Sequence, residues 1–331
     1  MAYLQIDPQM RGTMAKHMLN MYNVFCADEP RQAIKVPQGF EPMMALLYER
    51  HGLPAPTIST YPISLQIRDI PAWQSVMVGF SGGLDSAYMA LHLKDLGFSV
   101  TLYHVTGLNK AFPDEDASAK AFAQAAGMDL VECRVRHLQP QRYIDNPLKN
   151  QLIMALMADY GLPRGITEYA MGADWCSGID ECEIGYTITD SREVNEAFRD
   201  AMAMLVPYYE LLFIDDDVKK AQRLDYISSR HPDCLPYVCS CISPHRFKRK
   251  LHDTNVRKYG VDLMPNRCGS CFKCCMEWLL LNELGHVAPD AAYEAHCWDV
   301  LANGKNSHRK DLFGPKVPME QRKRNLLAYG S

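Results

Sequence analysis

Between Val76 and Gly97 the sequence strings together three signals that leave few folds open. Val76-Met77-Val78-Gly79-Phe80 is a short unbroken apolar run, the pattern of a strand covered on both faces in a parallel sheet. Ser81-Gly82-Gly83-Leu84-Asp85-Ser86 follows at once, and Ala87 to Leu96 is rich in good helix formers, with Gly97 where a C-terminal cap belongs. Strand, glycine loop and helix in this order begin a βαβ unit. The alternation continues with Ser99–Val105 as a strand, Asp116–Ala126 as a helix stopped by Gly127, and Leu130–Val135 as a strand. Leu148–Tyr160 then reads as a helix stopped by Gly161, and Ile166–Met171 as a strand. The expected fold class is α/β, with a doubly wound, mostly parallel sheet.

The flanks read less sharply. Met14 to Phe25 fits one amphipathic helix, and Ile63, Leu65 and Ile67 alternate with polar residues like a half-buried strand, before a turn at Pro71-Ala72-Trp73. Beyond Gly172 a loop of Gly, Asp, Cys and Glu runs to Asp190. Helices are expected over Glu193–Leu205, Asp217–Arg230, Met276–Leu284 and Pro289–Leu301, then a basic, loop-like tail. This divides the chain into an N-terminal extension, 1–74, an α/β nucleotide domain, 75–232, and a cysteine-rich helical region, 233–331.

At 331 residues the chain exceeds the roughly 250–300 at which one core stops growing. With 47% hydrophobic residues and a formal charge of −4 it can bury a large core, and it lacks the general basic excess of a nucleic-acid coat. That balance argues against a nucleic-acid partner. No apolar run reaches membrane-spanning length and the first residues carry no signal pattern, so the expected compartment is the cytoplasm, with no membrane partner.

Two glycines let the Ser81–Ser86 backbone aim successive N–H groups at one point, and the helix behind adds its positive end, so phosphate oxygens fit there. The loop has neither the Gly-Lys-Ser/Thr ending of the kinase-type phosphate loop nor the three-glycine dinucleotide spacing. What remains is a pyrophosphate cradle, and a carboxylate at Asp85 within it calls for Mg²⁺. Twelve cysteines in a reducing compartment favour metal over disulfides. Cys268-Gly269-Ser270-Cys271-Phe272-Lys273-Cys274 has two overlapping C-x2-C spacings, and Cys239 and Cys241 upstream offer a fourth thiolate. Zn²⁺ in such a closed shell is structural. Cys275 reads as a packed thiol outside it.

SGGxDS after a buried strand resembles the PP-loop ATP pyrophosphatases, whose fold is of the adenine nucleotide α-hydrolase type. With Cys-Gly-x-Cys-x-x-Cys near the C-terminus, the chain is similar to the 7-cyano-7-deazaguanine synthases of queuosine biosynthesis and their relatives. Ser240-Cys241 resembles that family's Ser-Cys ligand, which favours Cys241 as the fourth metal ligand with Cys239 as its substitute; Pro147-x-Lys149-Asn150 resembles its Pro-x-Arg-Asn segment, and Gly172, Asp174 and Asp190-Ser191-Arg192 its substrate loop. The likeness covers roughly residues 75–290.

The resemblance implies ATP binding by Ser81, Gly82, Gly83, Leu84, Asp85, Ser86, Lys149 and Asn150. It implies substrate binding by Gly172, Asp174, Asp190 and Arg192, and Ser81, Asp85 and Ser86 as the residues of the chemistry. The carboxylate of 7-carboxy-7-deazaguanine would be adenylated, with loss of pyrophosphate, and discharged by ammonia to an amide or nitrile. Mg²⁺ and cations such as Lys149, Arg192 and one of Lys219 or Lys220 would neutralise charge. On this reading Asp85→Ala abolishes pyrophosphate release and leaves the fold intact. Departures fall on the substrate side: Ser191 replaces a cysteine, and Thr106-Gly107-Leu108-Asn109-Lys110 lacks the family's glutamine. Three other readings stand beside it. The activated acid could pass to an amine on a protein or other macromolecule presented by residues 1–74. The chain could be a tRNA thiolation enzyme with an iron–sulfur cluster on Cys268, Cys271 and Cys274, or the loop could be a nucleotide sensor without catalysis. The sequence leaves oligomeric state open, a homodimer included.

Overall fold

The computed structural model describes residues 4–6, 12–25, 31–67, 74–106, 114–137, 148–172, 191–213, 218–241, 243, 245–261, 263, 267–303 and 310–329. The chain forms two compact units, one of residues 1–79, 93–108 and 130–213, the other of residues 80–92, 109–129 and 214–331.

The first unit holds a six-stranded sheet in the order β1-β6-β5-β4-β7-β8. Its strands are β1 (Leu4–Ile6), β4 (Ser75–Gly79), β5 (Ser99–Thr106), β6 (Asp129–His137), β7 (Glu168–Met171) and β8 (Glu210–Phe213). The five strands β6-β5-β4-β7-β8 are parallel, and β1 closes the edge antiparallel, with Leu4 opposite His137. Val76, Met77 and Val78 of β4 are fully buried, as an all-apolar central strand requires. The order reverses around β4, which has β5 on one side and β7 on the other. In open α/β sheets such a reversal marks where ligands bind, beyond the strands' carboxyl ends.

Residues 13–25 and 31–61 are built into this unit. Helix α1 (Thr13–Phe25) buries Met14, Met18, Met21 and Tyr22, one face at helical spacing. Its first turn is fixed by Asp159 of α5 (Lys149–Gly161), whose carboxylate accepts the Met14 and Ala15 N–H groups at 2.8 and 2.7 Å. Burial raises this carboxyl to about 6 against the pull of those two N–H groups. A parallel pair, β2 (Ala33–Pro37) with β3 (Thr57–Tyr61), encloses α2 (Glu41–Arg50) in sequence. Met14, Met18, Met43, Leu47, Leu152, Met157 and Tyr169 share one core.

Several expectations are corrected. The strand expected over Tyr61–Arg68 lies earlier, at Thr57–Tyr61, because Pro62 cannot donate to a ladder; Ile63 and Leu65 still pack on the core. Helix α5 ends at Gly161, but Gly161 is not a left-handed cap. It is helical, with φ −79°, and a short 3-10 turn runs on to Gly165 at φ +80°; a Cβ on Gly161 would lie 2.7 Å from the Tyr169 hydroxyl. Gly97 and Gly127 do cap their helices, at φ +93° and +60°. The strand β8 was not expected, since four residues carry too little pattern. Helix α6 (Arg192–Leu205) lies where expected.

The second unit is helical. It contains the Ser81–Ser86 loop and the start of α3 (Leu84–Asp95), then α4 (Asp114–Ala126), α7 (Lys220–Arg230), α8 (His245–Tyr259), α9 (Phe272–Glu283) and α10 (Ala291–Asn303). The tail expected as loop instead forms α11 (Lys310–Phe313) and α12 (Met319–Ala328). Helix α8 was also missed: with six Lys and Arg among its fifteen residues it is too polar overall to stand out in the sequence. No described helix is long and apolar enough to cross a membrane.

Candidate functional site

The glycine loop and the cysteine centre are both parts of the helical unit. Helix α3 begins at Leu84, earlier than its apolar pattern suggests, so Asp85 and Ser86 stand in the first turn. The loop is braced by its own serines: Ser86 Oγ accepts from the Ser81 N–H at 3.2 Å and donates to the Gly83 carbonyl at 3.1 Å, while Ser81 Oγ accepts from the Gly83 N–H at 3.3 Å. Gly82, at φ +82°, is in the left-handed region, where a side chain is strained. Gly83 is different. Its φ is not positive, and a Cβ there would sit in ordinary contact, 3.4 Å from Ser81 Oγ and 3.6 Å from Ser240 Oγ. The fold does not demand glycine at 83; a ligand approaching the backbone closely would.

Asp85 is held by two cations from α7. Arg223 Nη1 donates to it at 2.7 Å and Lys220 Nζ at 3.1 Å, from side chains only 2% and 12% exposed. Burial alone would raise the Asp85 carboxyl, but Lys220 and Arg223, with Lys273 adding to their field, hold it at about 2. Of the two lysines sequence reasoning offered, the structure selects Lys220. Arg223 was missed, although its i, i+3 spacing from Lys220 puts both on one helix face.

Cys241, Cys268, Cys271 and Cys274 bring their sulfurs within 4.8 Å of one another. Four thiolates about 2.3 Å from one ion lie roughly 3.8 Å apart at tetrahedral angles, and Cys268 and Cys274 are 3.9 Å apart. These residues therefore fit a metal such as zinc. The knuckle is preformed: Cys271 caps α9 by accepting the Cys274 N–H at 3.4 Å, and Ser270 N–H and Ser243 Oγ both donate to the Cys268 sulfur. Gly269, at φ +69°, allows the turn, and its carbonyl accepts from the Tyr293 hydroxyl at 2.9 Å. Crowding divides the thiols. Contacts with Cys268, Cys271 and Cys274 draw Cys241 far down, and the same contacts with Cys241 push Cys271 and Cys274 up. A cation at the centre removes that conflict.

Cys239 lies outside this set of four, its sulfur 3.9 Å from Lys248 Nζ, so Cys241 is the fourth member. Cys275 is buried and bonded to the Gly269 carbonyl, a packed thiol as expected. Sequence reasoning missed Arg267, which forms a buried ion pair with Glu277 and donates to the Val238 carbonyl at 3.1 Å.

The remaining expected residues belong to the sheet unit. Lys149 and Asn150 open α5, the first exposed and the second buried; Gly172 follows β7, half-buried. Arg192 opens α6 and is ion-paired with Glu196 at 3.1 Å. Ser191 is buried, its hydroxyl bonded to Glu193 at 2.8 Å. Asp174 and Asp190 lie outside the described residues. No protein-family model matches the sequence, and no curated protein matches it.

Proposed function

We propose that this chain is an ATP-dependent adenylating enzyme of PP-loop type, which activates a carboxylate with release of pyrophosphate. One observation carries the reading: a self-braced loop at the start of α3, with glycine at 83 where the fold requires none, beside a carboxylate flanked by the buried Arg223 and the half-buried Lys220. N–H groups at a helix start bind phosphate oxygens, and Lys220 and Arg223 supply the positive charge that a pyrophosphate needs. Mg²⁺, when bound, would neutralise the phosphates, with Asp85 as its protein ligand.

The substrate class follows from the resemblance to 7-cyano-7-deazaguanine synthases. A 7-carboxy-7-deazaguanine carboxylate oxygen attacks the α-phosphorus, and pyrophosphate leaves. Ammonia then attacks the acyl carbon and AMP leaves, giving the amide; a second activation of the amide oxygen and loss of AMP gives the nitrile. Lys149, Asn150, Gly172, Asp174, Asp190 and Arg192 are the candidates for ATP and substrate contacts outside the loop. The compact four-sulfur cluster supports a single ion such as zinc, whereas an iron–sulfur cluster spreads its thiolates over several irons, which weighs against the thiolation reading. Burial of Met14, Met18, Met43 and Leu47 in the sheet unit's core argues against a detachable arm that presents a macromolecular amine.

The test is pyrophosphate release from Mg²⁺-ATP with 7-carboxy-7-deazaguanine, with and without ammonia, and mass spectrometry of the products. Amide or nitrile with AMP is expected. An adenylate that ammonia does not discharge would move the acceptor to a macromolecule, and absence of any release would refute the substrate.

A further inference from the structure

We infer that Ser240 is a positioning residue through which the four-cysteine centre sets the shape of the anion loop, so that metal and anion bind cooperatively. The ligand in this inference rests on the anion-binding reading above; the coupling does not.

Four consecutive residues, 238–241, are each tied to a different partner. The Val238 carbonyl accepts from Arg267 Nη2 at 3.1 Å, next to the ligand position Cys268. The Cys239 N–H donates to the Gly82 carbonyl at 2.7 Å. Ser240 Oγ accepts the Leu84 N–H at 3.1 Å, and Cys241 places its sulfur among Cys268, Cys271 and Cys274. The short strip therefore grips the loop on both sides of Gly83 while its last residue is a wall of the metal centre. Adjacent Cα atoms are fixed about 3.8 Å apart, so little slack separates Cys241 from Ser240.

Ser240 has a particular chemistry to offer. Leu84 is the first residue of α3, and its N–H belongs to the helix-start donors that have no partner within the helix. A hydroxyl that accepts this N–H still has its own proton to donate. Ser240 thus caps the loop from outside and presents an O–H donor beside Gly83, where the absent Cβ leaves room for an anion oxygen. Alanine removes both functions, and threonine keeps both.

The experiment uses the full chain purified with zinc, the Ser240→Ala and Ser240→Thr variants, and the full chain treated with chelator. Metal content, hydrogen exchange of the 81–87 amides, and calorimetric binding of inorganic pyrophosphate with Mg²⁺ are measured. Ser240→Ala should keep its zinc, exchange its loop amides faster, and bind pyrophosphate about fivefold more weakly, the loss of one hydrogen bond of ordinary strength; Ser240→Thr should restore both. Chelation should speed loop exchange by about tenfold or more while β4 and β5 stay protected. Unchanged loop exchange in a metal-free but folded chain would overturn the coupling. If chelation unfolds the whole chain, unchanged exchange in zinc-loaded Ser240→Ala would overturn it instead. A wild-type chain that does not bind pyrophosphate would sink the anion reading, and the exchange data alone would then decide the coupling.

Discussion

Replacing Asp85 by alanine tests whether this carboxylate is structural as well as chemical. Sequence reasoning gives it a chemical role only and expects an intact fold. The structure places it against Arg223, 1% exposed overall, and Lys220, so removal leaves two poorly hydrated cations without their counter-charge. The fall of its pKa from 3.8 to about 2 corresponds to about 2 kcal/mol of native-state stabilisation at neutral pH. Breaking a buried pair from one side costs about 3–5 kcal/mol; the carboxylate here is 27% exposed. A loss of about 2–4 kcal/mol is therefore expected at pH 7, read as a lower urea midpoint with an unchanged slope. The pH dependence has a definite sign. A depressed carboxyl contributes fully above its unfolded value near 4 and loses that contribution as pH falls towards 2, so the gap between wild type and variant should shrink to roughly half by pH 3. Adding Arg223→Met should recover part of the loss by removing the orphaned charge. An Asp85→Ala chain within about 0.5 kcal/mol of wild type, or a gap that does not narrow in acid, would refute this account.

The two loop glycines should respond in opposite ways: Gly82→Ala, at φ +82°, should cost about 1 kcal/mol of stability. Gly83→Ala should melt like wild type yet bind pyrophosphate at least about tenfold more weakly; equal binding would remove the argument for close approach at 83. Deleting residues 1–62 exposes the side of the core that α1 and α2 cover, so the shortened chain should lose cooperative unfolding, and a native-like calorimetric transition would contradict the shared core. Asp159, with its carboxyl raised to about 6, should make the chain more stable as pH falls from 6 towards 4, a slope that Asp159→Asn should flatten in thermal melts.

The legible parts of the molecule were those whose signal is local. The buried run at Val76–Val78, the capping glycines 97 and 127, the Met14–Phe25 face and the C-x2-C spacings each act within a few residues, and each reappears in the structure. What escaped depends on partners distant in sequence. Arg223 looks like any helical arginine until Asp85 lies beside it, and Arg267 and Glu277 look like surface charges until they bury each other. Helix α8 hid because its residues are mostly charged and polar, and β8 because four residues acquire meaning only by pairing with β7, with Tyr169 opposite Leu211. The choice of Cys241 over Cys239 was carried by a family likeness, and the folded chain makes the same choice on geometry.

The contact between the first turn of α1 and Asp159 spans 145 residues of chain. During synthesis at about 5–20 residues per second, that helix emerges roughly 7–30 s before its dock exists. For that interval a face of Met14, Met18, Met21 and Tyr22 stands uncovered. The order of synthesis thus makes α1 wait for its place until about half of the chain has been made, and it gives holding chaperones a defined window and a defined surface.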